Sequence, residues 1–181
     1  MNPNANTGQI YYATAGNRAF LKLAGVIRYP LSKRLSLAVG RMFTHAKVQG
    51  VVVDLQEAEF IDSTCMGLLA RVATHCLNLG CERPVIVSVQ PEVNRLLRSM
   101  GFDRVFVLVE NPEAPTAGLA DAAELAGISP RPDPKLVLDA HRALCEINEK
   151  NRDLFQNVIE QLESETGDEE TGSPSAQEGG L

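Results

Sequence analysis

Apolar residues along this chain follow two periods in turn, one typical of strands and one typical of helices. Residues 9–14 and 18–26 alternate apolar with polar positions on either side of Gly16-Asn17, and Gly-Asn between two such runs predicts a β-hairpin. Three shorter apolar runs each predict a further strand: residues 51–55, 84–89 and 105–109. The predicted strands therefore lie within the first 110 residues.

Helical spacing of apolar residues separates these strands. Pro30 suits the first position of a helix, and from there apolar residues recur every three or four positions as far as Phe43. Gly80 and Gly101 stand where two further helices should end, because glycine adopts the left-handed conformation that closes many helices. The later predicted helices span residues 63–79, 91–100 and 117–125. Strands and helices in alternation predict an α/β fold with about four helices packed on a mixed β-sheet.

Composition divides the chain into five segments. Residues 1–8 are polar and predict a loose N-terminus, whereas residues 9–127 carry the alternating pattern of a folded domain. Residues 128–134 are rich in proline and predict a stiff linker. An amphipathic C-terminal helix is predicted for residues 135–163, and the acidic, Gly/Ser/Glu-rich residues 164–181 predict a disordered tail.

The predicted C-terminal helix carries an apolar stripe that has to be covered. Its apolar residues approximate a heptad seam from Leu136 to Leu162, and Asn151 interrupts that seam as register-setting polar residues do in coiled coils. An isolated helix gains little stability in water, so the stripe needs a surface to pack on. Three surfaces stay open: the preceding domain, a second copy in a homodimer, or a helix of another protein.

Charge and composition narrow the classes of function. The net charge of −6 argues against a nucleic-acid binder, which would present a basic face. No apolar run approaches the roughly 20 residues that a membrane helix needs, and residues 1–8 lack the basic and apolar regions of a signal peptide. The four cysteines lack metal-ligand spacing. We therefore expect reduced, buried thiols in a cytoplasmic protein that binds no membrane.

The most informative stretch is residues 59–68, which connects the apolar strand at 51–55 to the next helix. Asp62 or Ser63 stands at the predicted start of that helix, where a side-chain oxygen can accept hydrogen bonds from free backbone N–H groups. Asp-Ser-Thr before an apolar helix is also an ordinary capping sequence. A serine at an exposed helix start lies beside the positive end of the helix dipole, so phosphorylation would add roughly −1.5 to −2 charges where anions are tolerated.

Residues 51–69 resemble the signature of the STAS domains, the family of the anti-sigma factor antagonists. In that family a hydrophobic strand and an Asp lead to Asp-Ser-Ser/Thr-Gly-Leu-Gly at the start of a helix, and residues 62–67 here read Asp-Ser-Thr-Cys-Met-Gly. The resemblance continues through the strand and helix at 85–97 and the turn at 100–106, and it covers about residues 9–127. The chain departs from the family at Cys65, usually Gly, and at residues 26–28, where the closest antagonists carry Glu-Leu-Asp.

The resemblance implies a non-catalytic switch that exchanges protein partners. Ser63 is implied as the phosphoacceptor, with Thr64 as a secondary candidate, and Asp62 and Gly67 would support the switch loop. The unphosphorylated form would bind an anti-sigma factor or similar regulator, a serine kinase would release it by phosphorylating Ser63, and a PP2C-like phosphatase would restore it. The partner-binding candidates are Arg28, Met66 and Leu69.

Arg28 has a second predicted role. The first long loop and the helix that starts at Ser63 share one end of the sheet in STAS folds. Arg28 can therefore pair with a phosphate on Ser63 by charge-assisted hydrogen bonds. The alternative is an ordinary solvated arginine on the surface.

Other functions stay open beside the switch. A STAS domain can be an accessory or structural subunit, for example of a lipid-transport complex, with Ser63 only a helix cap. A ligand-sensing STAS domain would need a pocket between the sheet and the helices.

An enzyme is not expected, because the three histidines are isolated in sequence and His75 lies roughly 18 Å along the helix from Ser63. Asp54 and Asp62 could hold a cation together, but a strand-end Asp and a capping Asp account for them, so no metal or cofactor is predicted.

Overall fold

The computed structural model describes residues 8–44, 48–111, 123–124 and 133–170. The strands are β1 Gln9–Ala15, β2 Arg18–Ile27, β3 Gly50–Asp54, β4 Ala58–Ile61, β5 Val85–Val87, β6 Val107–Val109 and β7 Ala123–Glu124. A 3-10 turn at Tyr29–Leu31 precedes α1, and the helices are α1 Ser32–Thr44, α2 Ser63–Leu79, α3 Pro91–Ser99, α4 Phe102–Val105, α5 Pro134–Ile147 and α6 Glu149–Glu170. None of the helices in these ranges is both long enough and apolar enough to cross a membrane.

The strands form a mixed sheet in the order β6-β5-β3-β2-β1-β7, with β4 paired to β2 beside this path. The strands β2, β3, β5 and β6 run parallel, whereas β1 is antiparallel to both of its neighbours. The core lies between this sheet and the helices, and it joins strand residues such as Leu21 and Val53 to Leu68 of α2 and Leu144 of α5. The predicted α/β fold with helices packed on a mixed sheet is confirmed.

The hairpin that opens the sheet follows the sequence prediction. β1 and β2 pair from Gln9–Ala24 to Ala15–Arg18, which leaves Gly16 and Asn17 as a two-residue turn. Gly16 has a φ of 60°, and a two-residue hairpin of type II′ needs a positive φ at its first central position.

Strand β4 is an addition that the sequence did not predict. Residues 59–61 were expected only to connect the strand at 51–55 to the next helix, but residues 58–61 pair in parallel with the end of β2, after an irregularity between Gly25 and Val26. Gly25 has a φ of 74°, so β2 bends there, leaves β3 and continues beside β4. Four residues are too few to show a period. Because β2 and β4 are parallel, both end at the same edge of the structure, at Ile27 and Ile61.

The predicted strand at 105–109 is shorter in the structure because a helical turn precedes it. Phe102 and Phe106 are both buried and their rings stack at 5.4 Å, since α4 brings residues four apart onto one side. β6 therefore begins only at Val107.

The helix predicted for residues 117–125 is wrong where the structure describes that segment. Ala123 and Glu124 form β7 and pair with Tyr12 and Tyr11 of β1, so they supply hydrogen-bond partners to what would otherwise be an edge strand. The rest of that predicted helix lies outside the described residues. So do residues 1–7, most of the predicted linker and residues 171–181.

The single helix predicted for residues 135–163 is two helices. Asn148 has extended backbone between α5 and α6. Its Oδ1 accepts from the Asn151 N–H at 2.9 Å, the hydrogen bond typical of a residue that caps the N-terminus of a helix. Asn151 is fully buried, but in place of setting a coiled-coil register its Nδ2 donates to the Leu144 carbonyl at 2.8 Å and the Met100 carbonyl at 3.0 Å. The helix α6 also continues to Glu170, so residues 164–170 are helical, contrary to the prediction of disorder.

The two C-terminal helices fold back on the chain. The helix α5 packs on α2 and α6 packs on α5. Of the three surfaces that the sequence left open for the apolar stripe, the structure places the α5 part on the preceding domain. The stripe is only partly covered, because Leu154 and Val158 of α6 are exposed.

Candidate functional site

Asp62 joins the end of β2 to the start of α2. Its Oδ1 accepts from the Cys65 N–H at 2.9 Å and so caps α2, while its Oδ2 accepts from the Tyr29 N–H at 2.5 Å. The Asp62 N–H in turn donates to the Ile27 carbonyl at 3.0 Å. One carboxylate therefore accepts from two backbone donors, one in the first turn of α2 and one in the loop after β2, so Asp62 is the N-cap of α2 and holds that loop beside the start of the helix.

Ser63 is the first residue of α2 and its hydroxyl meets a histidine from the C-terminal region. The Ser63 Oγ lies 3.0 Å from Nε2 of His141 in α5. Nδ1 of His141 lies 2.9 Å from the Val137 carbonyl, and a carbonyl only accepts, so Nδ1 carries the proton. In the neutral ring Nε2 is then the acceptor and the Ser63 hydroxyl is the donor.

This pairing changes the expected setting of Ser63. The sequence predicted an exposed helix start, whereas Ser63 is half-buried beside a His141 that is only 5% exposed. The sequence could not reveal the contact, because 78 residues separate the two side chains. The only signal available was the position of His141 near the apolar stripe of the predicted C-terminal helix.

Gly67 is the point where α2 and α5 come closest. A Cβ built on Gly67 would lie 2.8 Å from the Ala140 Cα and would overlap the Ala140 carbonyl oxygen. Glycine is therefore required here by a backbone-to-backbone approach. Gly67 therefore lets α5 pack directly on the helix that Ser63 begins, and its role in a switch loop stays a prediction.

The remaining motif residues on α2 are covered. Thr64, Met66 and Leu69 are buried, with at most 5% of each exposed. The expectation that Met66 and Leu69 shape an accessible docking surface is therefore wrong for this conformation. Thr64 is equally poorly placed to receive a phosphate, which leaves Ser63 as the better candidate.

Arg28 is exposed and lies over an aromatic ring. Its guanidinium carbon is 5.1 Å from the centroid of the Phe60 ring, a cation–π distance, and Phe60 is 43% exposed. Both residues flank the Asp62 connection, since Arg28 precedes Tyr29 and Phe60 lies two residues before Asp62. The two side chains form an exposed pair beside the start of α2, and Phe60 is a surface residue that the sequence did not single out.

The acidic pair considered for a cation has structural roles. Asp54 is buried at the end of β3, and its Oδ1 accepts from the Gln56 N–H at 2.9 Å in the following turn. Within the described ranges no three His, Cys, Asp or Glu side chains are grouped so that they could hold a metal ion.

The cysteines are free thiols, and two of them are buried. Burial raises the pKa of the Cys65 thiol far above its ordinary value, and the Asp62 carboxylate raises it further. Burial also raises the pKa of Cys76 to about 12. Both thiols are neutral near pH 7, so neither is a nucleophile. Cys81 and Cys145 are only partly buried, which departs from the expectation that all four are buried.

A ligand-sensing domain needs a pocket, and the described residues form a cleft of suitable size. It has a volume of about 450 Å³ and lies between α2, α4 and α5, not between the sheet and the helices. Its walls include Ala70, Ala73 and Ile147, and charged side chains such as Arg83 and Glu146 also line it. Ser63 does not line the cleft, so the phosphoacceptor candidate and this cavity are separate features.

Comparison with known proteins gives the family. The model of the family described as "Mlab, STAS domain" matches residues 10–110, more than half of the chain. This chain belongs to the Mlab STAS-domain family. The match includes β2 to β6, nearly all of β1 and the Asp62-Ser63 motif, so the predicted STAS membership is confirmed. No curated protein sequence matches the chain.

One solved structure supports the fold, and two others show a weaker likeness. An anti-sigma factor antagonist from Mycobacterium paratuberculosis is 18% identical with a TM-score of 0.53, over 64% of this chain and 96% of that one. The antagonist SpoIIAA in its unphosphorylated form is 11% identical, with a TM-score of 0.48 over 58% and 90%. The phosphorylated form of Bacillus SpoIIAA is 12% identical, with a TM-score of 0.47 over 59% of this chain and 95% of that one. At these identities the likeness to the Mycobacterium protein concerns the fold. The helices α5 and α6 lie outside the residues matched by the family model.

Proposed function

We propose that this STAS protein binds another protein through the surface around the start of α2 and that phosphorylation of Ser63 ends the complex. The observation that carries the proposal is the placement of Ser63 as the first residue of a 17-residue helix capped by Asp62. A phosphate at that position would lie beside the positive end of the helix dipole, which favours an anion, so the domain can carry it without unfolding.

The direction of the switch follows from the charge. Unphosphorylated, the protein binds an anti-sigma factor or a similar regulator. A serine kinase adds the phosphate and a PP2C-like phosphatase removes it. A phosphate set into a close interface has to lose its hydration and repels acidic groups of the partner, so affinity falls when Ser63 is modified.

Arg28 and Phe60 are the proposed first contacts of the partner. Both are exposed beside the Asp62 connection, and arginine and aromatic side chains contribute heavily to protein interfaces. Arg28 is also the proposed partner of the phosphate, since an arginine can offer two parallel hydrogen bonds to it.

Mass spectrometry of the full-length protein after treatment with its cognate kinase tests the proposal. We expect a single phosphate, on Ser63, and none in Ser63→Ala. In a pull-down with the regulator, Ser63→Ala should stay bound and Ser63→Asp should bind more weakly. Ser99→Asp is the matched control, because Ser99 is exposed on α3 and its new charge should leave binding unchanged. Phosphate on Thr64 alone, or on no residue, contradicts the assignment.

A second function is favoured by the contact between Ser63 and His141. A hydroxyl already bonded to a buried imidazole has a structural use, and this suits a STAS module that acts as a permanent accessory subunit, for example of a lipid-transport complex. In that case no kinase modifies Ser63. Ser63→Ala and Ser63→Asp would then change the stability of the protein, while partner binding would not depend on a phosphorylation cycle.

A further inference from the structure

The surface around Ser63 is covered by the protein's own C-terminal region. From Ser63 to Gly67, α2 is in contact with α5, through the Ser63–His141 hydrogen bond and the close approach of Gly67 to Ala140. Ala140 is fully buried and His141 nearly so. A partner that reached this part of α2 would therefore meet α5 first.

The covering helices are held at both ends of α5. At its start, the Asp133 N–H donates to the Tyr29 hydroxyl at 3.1 Å, and Lys33 lies 4.0 Å from the Asp133 carboxylate. At its end, the side chains of Asn148 and Asn151 donate to the Met100 carbonyl at 3.1 and 3.0 Å. Between these ends, Ala140, Ala143 and Leu144 of α5 belong to the same buried apolar cluster as the residues of α2, so α5 leaves α2 only in a local opening that breaks the apolar contacts together with the polar ones.

We infer that the α5–α6 pair is an internal mask that competes with the protein's partner and kinase for the Ser63 surface. The inference rests on the proposed function and adds its regulation. In the closed chain, the Ser63 hydroxyl is occupied by His141 and the Gly67 face is occupied by Ala140. A partner or kinase gains both only when α5 leaves α2. The open surface then accepts a protein element that can come as close to Gly67 as α5 does.

The test measures access to position 63 directly, in the full chain. Ser63→Cys in a Cys65→Ala background is treated with a maleimide, and peptide mass spectrometry reports the rate of modification at residue 63. Ala140→Glu opens the mask, because it puts a carboxylate into the buried contact between α2 and α5. Lys135→Glu is the matched control, since it adds the same side chain at an exposed position of the same helix.

We expect Ala140→Glu to label about tenfold or more faster than the parent and Lys135→Glu to label like the parent, because closing protects a site in proportion to the opening equilibrium. Equal labelling of parent and Ala140→Glu, with the sheet intact by circular dichroism, overturns the inference. If Ala140→Glu does not fold, Gly67→Ala decides on the same criterion, because the added methyl group strikes the Ala140 carbonyl.

This readout uses neither phosphate nor partner, so it can fail separately from the proposed function. If Ala140→Glu labels faster than the parent but Ser63 is never phosphorylated, the result supports the mask and contradicts the proposed phosphorylation switch. Equal labelling of the parent and of Ala140→Glu, in a protein that is phosphorylated on Ser63, contradicts the mask and leaves the proposed switch standing.

Discussion

Asp62 is the residue on which the geometry of the site depends. Its two carboxylate oxygens accept from the Cys65 and Tyr29 N–H groups, which belong to α2 and to the loop after β2. Losing the side chain leaves two backbone donors without a partner. The start of α2 and the Arg28 loop would then no longer be held together.

We predict that Asp62→Ala lowers the free energy of unfolding by about 1–3 kcal/mol, the cost of a lost cap together with a second lost hydrogen bond. Asp62→Asn should cost less, because its amide oxygen still caps α2. Urea denaturation followed by circular dichroism measures both. Asp103→Ala, at an exposed position with no capping bond, is the control. A loss no larger for Asp62→Ala than for Asp103→Ala would contradict the prediction.

At this scale the sequence predicted what depends on neighbours in the chain. A cap is local, so Asp62 and Ser63 could be placed at the start of α2 from their positions alone. The bond from Ser63 to His141 and the contact between Gly67 and Ala140 join residues more than 70 positions apart. No periodic pattern carries that information, and the burial of Met66 and Leu69 went unpredicted for the same reason.

Among the elements, the break between α5 and α6 decides how the C-terminal region folds. The heptad-like spacing continues through residues 136–162, with the polar Asn151 at one of its positions, which is why the sequence predicted one helix. Asn148 and Asn151 turn the chain instead, because their side chains satisfy backbone groups that a helix end leaves free. A buried asparagine at this spacing is compatible with a coiled-coil register or with a turn between two helices. The hydrogen bond from Asn151 to the Met100 carbonyl, which lies far away in the sequence, is what identifies the turn.

We predict that Asn151→Ala lowers the free energy of unfolding by about 1–3 kcal/mol, because the buried Leu144 carbonyl loses the donor from this side chain. Gln156→Ala lies on the same helix and removes only an exposed bond to Glu160, so it should change stability by less than about 0.5 kcal/mol. Thermal unfolding of the two variants gives the comparison. Equal melting temperatures would show that Asn151 does not hold the corner.

For the whole molecule, the domain matched by the family and the C-terminal pair share one core. The α5 residues Ala140, Ala143 and Leu144 belong to the same buried cluster as the apolar residues of α2. The sequence predicted the order of β1, β2, α1, β3, α2, β5 and α3, because each of these elements shows its own period, but it missed the short β4 and the break between α5 and α6. It could not predict which surface the last helices would cover, since an apolar stripe fits the domain, a second copy or another protein equally well.

Removing the C-terminal pair distinguishes these uses of the stripe. We predict that a chain ending at residue 133 has a lower melting temperature and binds an apolar dye, because the α2 face around Gly67 loses its cover. A chain ending at Glu170 keeps α5 and α6 and serves as the control. Full stability with a fall in mass from dimer to monomer, measured by light scattering, would instead make the pair an oligomerisation device. Unchanged stability and mass would mean that α5 contributes nothing to the stability of the core. The shortened chain would then be tested for loss of partner binding. Leu154 and Val158 of α6 are exposed even while α5 packs on α2, so the dimer outcome would not require α5 to leave α2.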